Sequence, residues 1–318
     1  MISVENISKR WGDVVALESV SLEAGRGEIH GLIGADGAGK STLFEILVTL
    51  VRADSGRAYV GGYDVAREWR AVRQNVGYMP SAFSLYGDLT VGENLAFFAR
   101  IYRQPVKRVH ELVGDIWRQI EPFSSRPASK LSGGMKQKLA LCCAMIHDPD
   151  VLMLDEPTTG VDPTSRSEFW EALRGLADRG KSVLVSTSYM DEAAKCDGMT
   201  LLHRGEVLDS LRPTDVEGHY RGTLYEICTP DMTLNSRLLE LLREWSLCRG
   251  CYSFGDRIHL GIALEGIQTE TVQSYLRAQG VETASIGVRV AVPTVEDLFI
   301  QLTSTPETES GGPEPDLA

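Results

Sequence analysis

The sequence has no apolar run approaching the ~20 residues that a membrane-spanning helix needs. Its start, Met1-Ile2-Ser3-Val4-Glu5, lacks a basic stretch followed by an apolar core, so no secretory signal is expected. Positive charge is scarce. Lys and Arg number 32 against 44 Asp and Glu, a net charge of −12, which disfavours a general nucleic-acid-binding role. Cysteine is sparse too, with six scattered at 142, 143, 196, 228, 248 and 251. Cys142 and Cys143 sit in an apolar helical run and read as core thiols. Cys248-Arg249-Gly250-Cys251 is a lone C-x-x-C without the two further ligands that zinc requires, and small residues in a strand account for it. No internal repeat is visible.

What is present fits two domains in 318 residues. Ile2 to Ile7 and Val14 to Leu22 read as strands, and Gly27 to Ile33 as a strand feeding a glycine-rich loop. That loop is Gly34-Ala35-Asp36-Gly37-Ala38-Gly39-Lys40-Ser41-Thr42. Its glycines let backbone N–H groups approach phosphate oxygens where a Cβ would block them. Lys40 can reach the β and γ phosphates, and the Ser41 hydroxyl can ligate Mg²⁺. The helix expected from Thr42 adds a positive dipole end beneath the anion.

Further along, Arg57 to Val60, Val76 to Met79, Asp150 to Leu154 and Ser182 to Thr187 read as short buried strands. Thr90 to Tyr102, Ser132 to Ile146 and Pro163 to Ala177 read as helices, the first with Thr90 and Glu93 in capping-box positions. Met199 to Leu208 reads as a hairpin turning at Arg204-Gly205. Strand–helix alternation around a phosphate loop predicts an α/β, three-layer domain over 1–220. Residues 221–303 read as strand, helix, two strands, helix, strand and a short helix from Val295 to Leu302, a small α+β domain. Residues 304–318 are rich in Pro, Gly, Ser and acid and are expected to be disordered.

Two other runs carry chemistry. Val151-Leu152-Met153-Leu154-Asp155-Glu156-Pro157 is a strand presenting two carboxylates at its carboxyl end, where open α/β sheets bind ligands. Asp155 is placed to hold the Mg²⁺ shell and Glu156 to polarise an attacking water. In Leu131-Ser132-Gly133-Gly134-Met135, Ser132 can cap a helix whose first N–H groups are exposed at Gly133 and Gly134, either a second anion site or a plain capped helix.

In this order and spacing, the three motifs resemble the ATP-binding subunit of an ABC transporter over about residues 1–220, with the P-loop NTPase fold and a helical subdomain at about 82–148. The likeness is to the ABC-2 exporter type and to the N-terminal half of the tandem ATPase of YbhF-type multidrug exporters. It implies ATP and Mg²⁺ as cofactors. It implies a second ATP-binding subunit, identical or different, facing this one head to tail, and an integral membrane permease as partner. The protein would then be cytoplasmic, peripheral to the inner face of the membrane, and drive export of a drug-like or amphipathic substrate. Each ATP would lie between one phosphate loop and the other subunit's Leu-Ser-Gly-Gly helix. Trp11 matches the aromatic that stacks on adenine, Asp162 the acid of the loop coupling the two sites, and Phe83 and Tyr86 the lining of the groove that receives a permease helix. Pro293-Thr294-Val295-Glu296-Asp297-Leu298-Phe299 also resembles these exporters.

Two positions depart from the family. Ser81 stands where Gln normally reaches Mg²⁺ or the attacking water, and Ser188 stands where His normally contacts the γ-phosphate. A serine hydroxyl is shorter and not basic at neutral pH, and losing one positioned group typically costs ~10²–10⁴ in rate. Three readings follow: an asymmetric pair in which this chain holds ATP and completes a partner's site, a slowly hydrolysing homodimer, or a non-catalytic ATP-binding regulator.

Overall fold

A computed structural model of the chain describes residues 1–229, 233–264 and 266–304. It divides into two compact units, 1–213 and from Thr214 onward. The sequence reading drew the boundary at 220. The short helix α7 (Val216–His219) instead belongs with the second unit, where it packs on that unit's last helix. The segment expected to be disordered lies outside the described residues, except that Ser304 still forms part of that helix.

In the first unit, β1 (Ile2–Trp11), β2 (Val14–Ala24), β4 (Ser55–Val60) and β5 (Tyr63–Asp64) form an antiparallel sheet in the order β2-β1-β4-β5. A second sheet joins β3 (Ile29–Ile33), β6 (Val76–Met79), β7 (Val151–Asp155), β8 (Ser182–Thr187), β9 (Gly198–His203) and β10 (Glu206–Leu211). Its order is β10-β9-β3-β8-β7-β6, parallel throughout except for β10 at the edge. The helices are α1 (Lys40–Leu47), α2 (Trp69–Asn75), α3 (Val91–Ile101), α4 (Arg108–Ile120), α5 (Gly133–Met145) and α6 (Pro163–Asp178).

The parallel sheet is buried on both faces, which explains why the middles of its central strands, residues 151–154 and 183–185, are apolar at every position instead of alternating. Leu152, Leu154, Val183 and Val185 point into a core shared with α3 to α6. Their neighbours Val151, Met153 and Leu184 point the other way, into a core shared with α1 and the antiparallel sheet. The period of two thus builds three layers. Burying each such side chain contributes about 1.5–3 kcal/mol, so an acid on either face would unseat a layer.

Helix α3 starts where local chemistry says it should: Thr90 Oγ1 accepts Glu93 N at 3.2 Å while Glu93 Oε2 accepts Thr90 N at 2.8 Å. The sequence predicts a helical subdomain over about 82–148 but no individual helix between Tyr102 and Ser132, where α4 is found, kinked at Val113.

The second unit contains β11 (Thr223–Cys228), α8 (Leu234–Arg243), β12 (Cys248–Phe254), β13 (Arg257–Ile262), α9 (Thr269–Ala278), β14 (Gly287–Val290) and α10 (Val295–Ser304). The antiparallel order β12-β13-β11-β14 with this βαββαβ succession is ferredoxin-like, with α10 added. Tyr225, Ile227, Ile258 and Leu260 face α8 and α9. The alternate residues Glu226, Arg257, His259 and Arg289 face away. Glu226 is bound by Arg257 Nη1 at 2.7 Å on both oxygens and by Arg289 Nε at 2.6 Å. Asp297 secures α10 to this face. Its Oδ1 accepts His259 Nδ1–H at 2.6 Å and the Tyr252 hydroxyl, while its Oδ2 accepts Thr294 N at 2.7 Å. Cys251 is buried and Cys248 half-buried in this unit, and all six cysteines are free.

Candidate functional site

The phosphate loop runs from the end of β3 to the first turn of α1. Gly34 is forced by close approach: a Cβ there would lie 2.3 Å from the Leu202 carbonyl oxygen. Gly39 is the N-cap of α1 in the left-handed region, φ 106°, and a Cβ would meet the Ala16 carbonyl oxygen at 2.4 Å. Lys40 is buried. Its Nζ donates to the Gly34 and Ala35 carbonyls at 2.7 and 3.1 Å and stands 3.0 Å from Glu156 Oε1. Ser41 is exposed one position further along.

Glu156 follows β7 with φ 50°, a conformation that costs a non-glycine residue on the order of 1–3 kcal/mol. The surroundings hold it there. Its N–H donates to Ser186 Oγ at 2.9 Å and to the Ser186 carbonyl at 3.2 Å. Its Oε2 accepts Thr159 Oγ1 at 2.9 Å and Ser188 Oγ at 3.4 Å. Its Oε1 is buried and makes no aligned hydrogen bond, so the contact with Lys40 is an ion pair only. Asp155 is buried beside it and accepts the Ser186 hydroxyl on Oδ1. One serine thus orients both carboxylates, accepting from one residue's backbone and donating to the other's side chain. Lys40, Glu156 and Ser188 are in mutual reach around the Glu156 carboxylate.

The remaining candidates are held by other elements. Met79 pairs with Leu154 in register, so Ser81, exposed two residues beyond β6, follows the strand beside the two carboxylates. Trp11 ends β1 half-exposed, with Lys9 Nζ 4.9 Å above its ring. Ser132 caps α5 by accepting Met135 N at 3.4 Å. Gly133 and Gly134 are needed for packing: Cβ atoms there would lie 3.0 Å from the Gly160 carbonyl oxygen and 2.7 Å from Ser165. Asp162 caps α6, accepting Ser165 N at 2.9 Å, and that bond holds its carboxyl below the usual range. Among the described residues, no hydrogen bond or ion pair joins Ser132 to Gly134 with the phosphate loop. Their contacts are with the Gly160–Ser165 segment of their own chain.

A groove of about 350 Å³ lies between the sheet edge and the helices, lined by Tyr78, Leu85, Phe98, Tyr102 and His147 among others. Phe83 and Tyr86 do not line it. They are exposed, Tyr86 edge-on to Phe97 and Phe83 beneath Lys136. A larger cleft of about 690 Å³, bordered by Arg52, Arg57, Arg67 and Trp69, includes neither the phosphate loop nor the carboxylates and is separate from this site.

Comparison with known proteins identifies the family. The ABC transporter family profile matches residues 17–159. The daunorubicin resistance ATP-binding protein DrrA2 of Streptomyces coeruleorubidus is 34% identical over 317 residues, 97% of each chain. The chain belongs to the ATP-binding proteins of ABC transporters, exporter type. Within that family, the probable multidrug ABC transporter ATP-binding protein YbhF of Escherichia coli is 38% identical over 252 residues. That match takes in 77% of this chain but only 42% of YbhF, so the chain spans about two fifths of that relative. A Nod factor export ATP-binding protein I from Burkholderia lata is 38% identical over 234 residues, 72% of this chain and 77% of that one. Among solved structures, an ATP-binding subunit of an ABC transporter aligns with TM-score 0.63 and 28% identity, over 69% of this chain and 92% of that one. The dimeric cassette MJ0796 aligns with TM-score 0.61 and 27% identity, over 67% and 98%.

Sequence reasoning assigned no role to Ser186, Thr159 or Glu192. Ser186 stands inside the strand read from the sequence, but the partners of all three are reached only through strand pairing and loop closure.

Proposed function

We propose that this chain is an ATP-hydrolysing ABC cassette that couples head-to-tail pairing with a second ATP-binding subunit to export through a separate membrane permease. The reading extends to a drug-like or amphipathic substrate and to a cytoplasmic position at the inner face of the membrane. The observation that carries it is the convergence of Lys40, Glu156 and Ser188 on one carboxylate.

The residues fit a nucleotide triphosphate and Mg²⁺. Glu156 Oε1 is a buried acceptor without an aligned donor, facing the lysine of the phosphate loop. Ser41 and Asp155 would hold Mg²⁺, with Ser81 beside them, and the metal would supply charge neutralisation at the phosphates. Lys40 and the N–H groups of residues 34–42 bind and orient the phosphates. Glu156 takes a proton from water, and Ser188 Oγ, donating to its Oε2, holds the carboxylate in place. Trp11 stacks on the base. Ser132, Gly133 and Gly134 are offered to the other subunit's nucleotide, and Asp162 stands on the loop beside them.

Steady-state hydrolysis and ATP binding by the chain alone, with Lys40→Ala and Glu156→Gln controls, test the reading. Turnover that both substitutions abolish supports it. Binding without turnover in the unaltered chain rejects self-sufficient hydrolysis and leaves a site that needs a second ATPase.

A further inference from the structure

Glu192 is fully buried in the short 3-10 turn Met190–Lys195 that follows β8. Its two oxygens hold threonines from two different segments, the loop after β7 and the end of β8. Oε1 accepts Thr158 Oγ1 at 2.6 Å, and Oε2 accepts Thr187 Oγ1 at 2.7 Å. Thr158 comes just after Glu156-Pro157, and Thr187 immediately precedes Ser188. Thr187 carries two more bonds: its Oγ1 accepts Tyr189 N at 3.0 Å, and its carbonyl accepts Gly34 N at 3.3 Å. One carboxylate therefore ties together the Glu156 loop, the Ser188 turn and the first residue of the phosphate loop.

A buried carboxylate is costly unless it is hydrogen-bonded and charge-compensated. Here the compensation is Arg166, whose Nε stands 3.6 Å from Oε1 and whose guanidinium lies 4.3 Å over the Tyr189 ring. Asp191, 3.9 Å from Arg166, draws on the same cation. An arrangement this closed serves the geometry of what it joins. The Ser188–Glu156 contact, at 3.4 Å, is at the outer limit of a hydrogen bond, so a small displacement of either loop breaks it.

We propose that Glu192 is a positioning residue: it sets the spacing of Glu156 and Ser188 by clamping the loops that carry them, without itself meeting substrate. The effect on turnover rests on the ATPase reading above, whereas the clamp itself does not.

The test uses the full chain with Glu192→Gln, Thr158→Val and the two combined. The glutamine keeps one acceptor oxygen but presents an amide donor where the second threonine hydroxyl must donate. The valine removes one arm and leaves the Glu192–Arg166 pairing intact, so it carries the test if Glu192→Gln does not fold. Backbone hydrogen exchange over 156–161 and 187–190 is expected to rise about tenfold or more in each variant, with the β3 and β8 cores unchanged. The kcat is expected to fall about 10–100-fold, as for loss of an outer-shell partner, with KM for ATP moving less than about threefold. The double variant should be little worse than the single ones. Unchanged exchange in both loops overturns the clamp, whatever the turnover. Raised exchange with unchanged kcat overturns the positioning role. An unaltered chain that does not hydrolyse ATP overturns the ATPase reading, and the exchange measurement then still decides the clamp.

Discussion

Lys40 Nζ stands 3.0 Å from Glu156 Oε1, across the gap between the phosphate loop and the carboxylate strand. The lysine's other bonds go to carbonyls of its own loop, so among the described residues Glu156 is its one charged contact. Phosphates entering the loop compete with that carboxylate for the same ammonium group. Glu156 would retain the hydroxyls of Thr159 and Ser188 when the lysine turns to an anion.

Glu156→Gln keeps the side chain's shape and removes its basicity. ATP binding should survive it, while kcat falls by ~10²–10⁴. Lys40→Ala should lose both binding and turnover, because it deletes the cation that meets the phosphates and leaves the Glu156 carboxylate with hydroxyl partners alone. Titration calorimetry beside a phosphate-release assay separates the two. Equal loss of binding in both variants contradicts the assigned roles.

The resemblance puts Ser188 where a histidine is expected. A hydroxyl at 3.4 Å holds Glu156 weakly and carries no charge to a γ-phosphate. Ser188→His is expected to raise turnover. A folded, ATP-binding variant that gains nothing, even with Ser81→Gln added, removes Ser188 as the cause of slow turnover.

Trp11 is half-exposed, with one face under Lys9, so its indole is not a core side chain. Trp11→Ala should weaken ATP binding by ~1–3 kcal/mol through lost stacking on the base. The thermal midpoint should hardly move. Unchanged affinity makes it a structural tryptophan.

Acid should loosen the first unit before it loosens any carboxylate. Burial pulls His30 and His147 from 6.5 down to about 4. Between those values the unfolded chain binds protons that the native state refuses, so stability is full above pH 6.5 and declines as pH falls towards 4. For His30, which bonds Thr200 in the core, the loss is on the order of 3 kcal/mol. Melting curves from pH 7.5 to 4.5 should show a falling midpoint, and His30→Gln should flatten the decline. A midpoint level across that window in the unaltered chain contradicts it.

The features readable in the sequence are those whose causes are local or periodic. Residues 151–154 and 183–185 announce themselves because a strand buried on both faces is apolar at successive positions. The Thr90–Glu93 cap is legible because both partners lie within one turn. Helix α4 has apolar residues at helical spacing from Val109 to Ile120, but Lys107 gives it no side-chain cap and the kink at Val113 interrupts it. Ser186 escaped notice because its work depends on β7 and β8 being neighbours, with Asp155 opposite it. The placement of α7 depends on α10, and Arg221 is fastened there to Gln301, a partner 80 positions away. No window of sequence contains such a pair.

The fastening of α10 also dictates where the chain can be shortened. Asp297 is the acceptor for His259 Nδ1 and for the Tyr252 hydroxyl, both beneath the helix. A truncation ending ahead of Thr294 would delete that acceptor and expose His259, now buried, and Tyr252 to water. The shortest useful version for expression therefore runs through Ser304, and an affinity tag belongs beyond that residue rather than in place of the final helix.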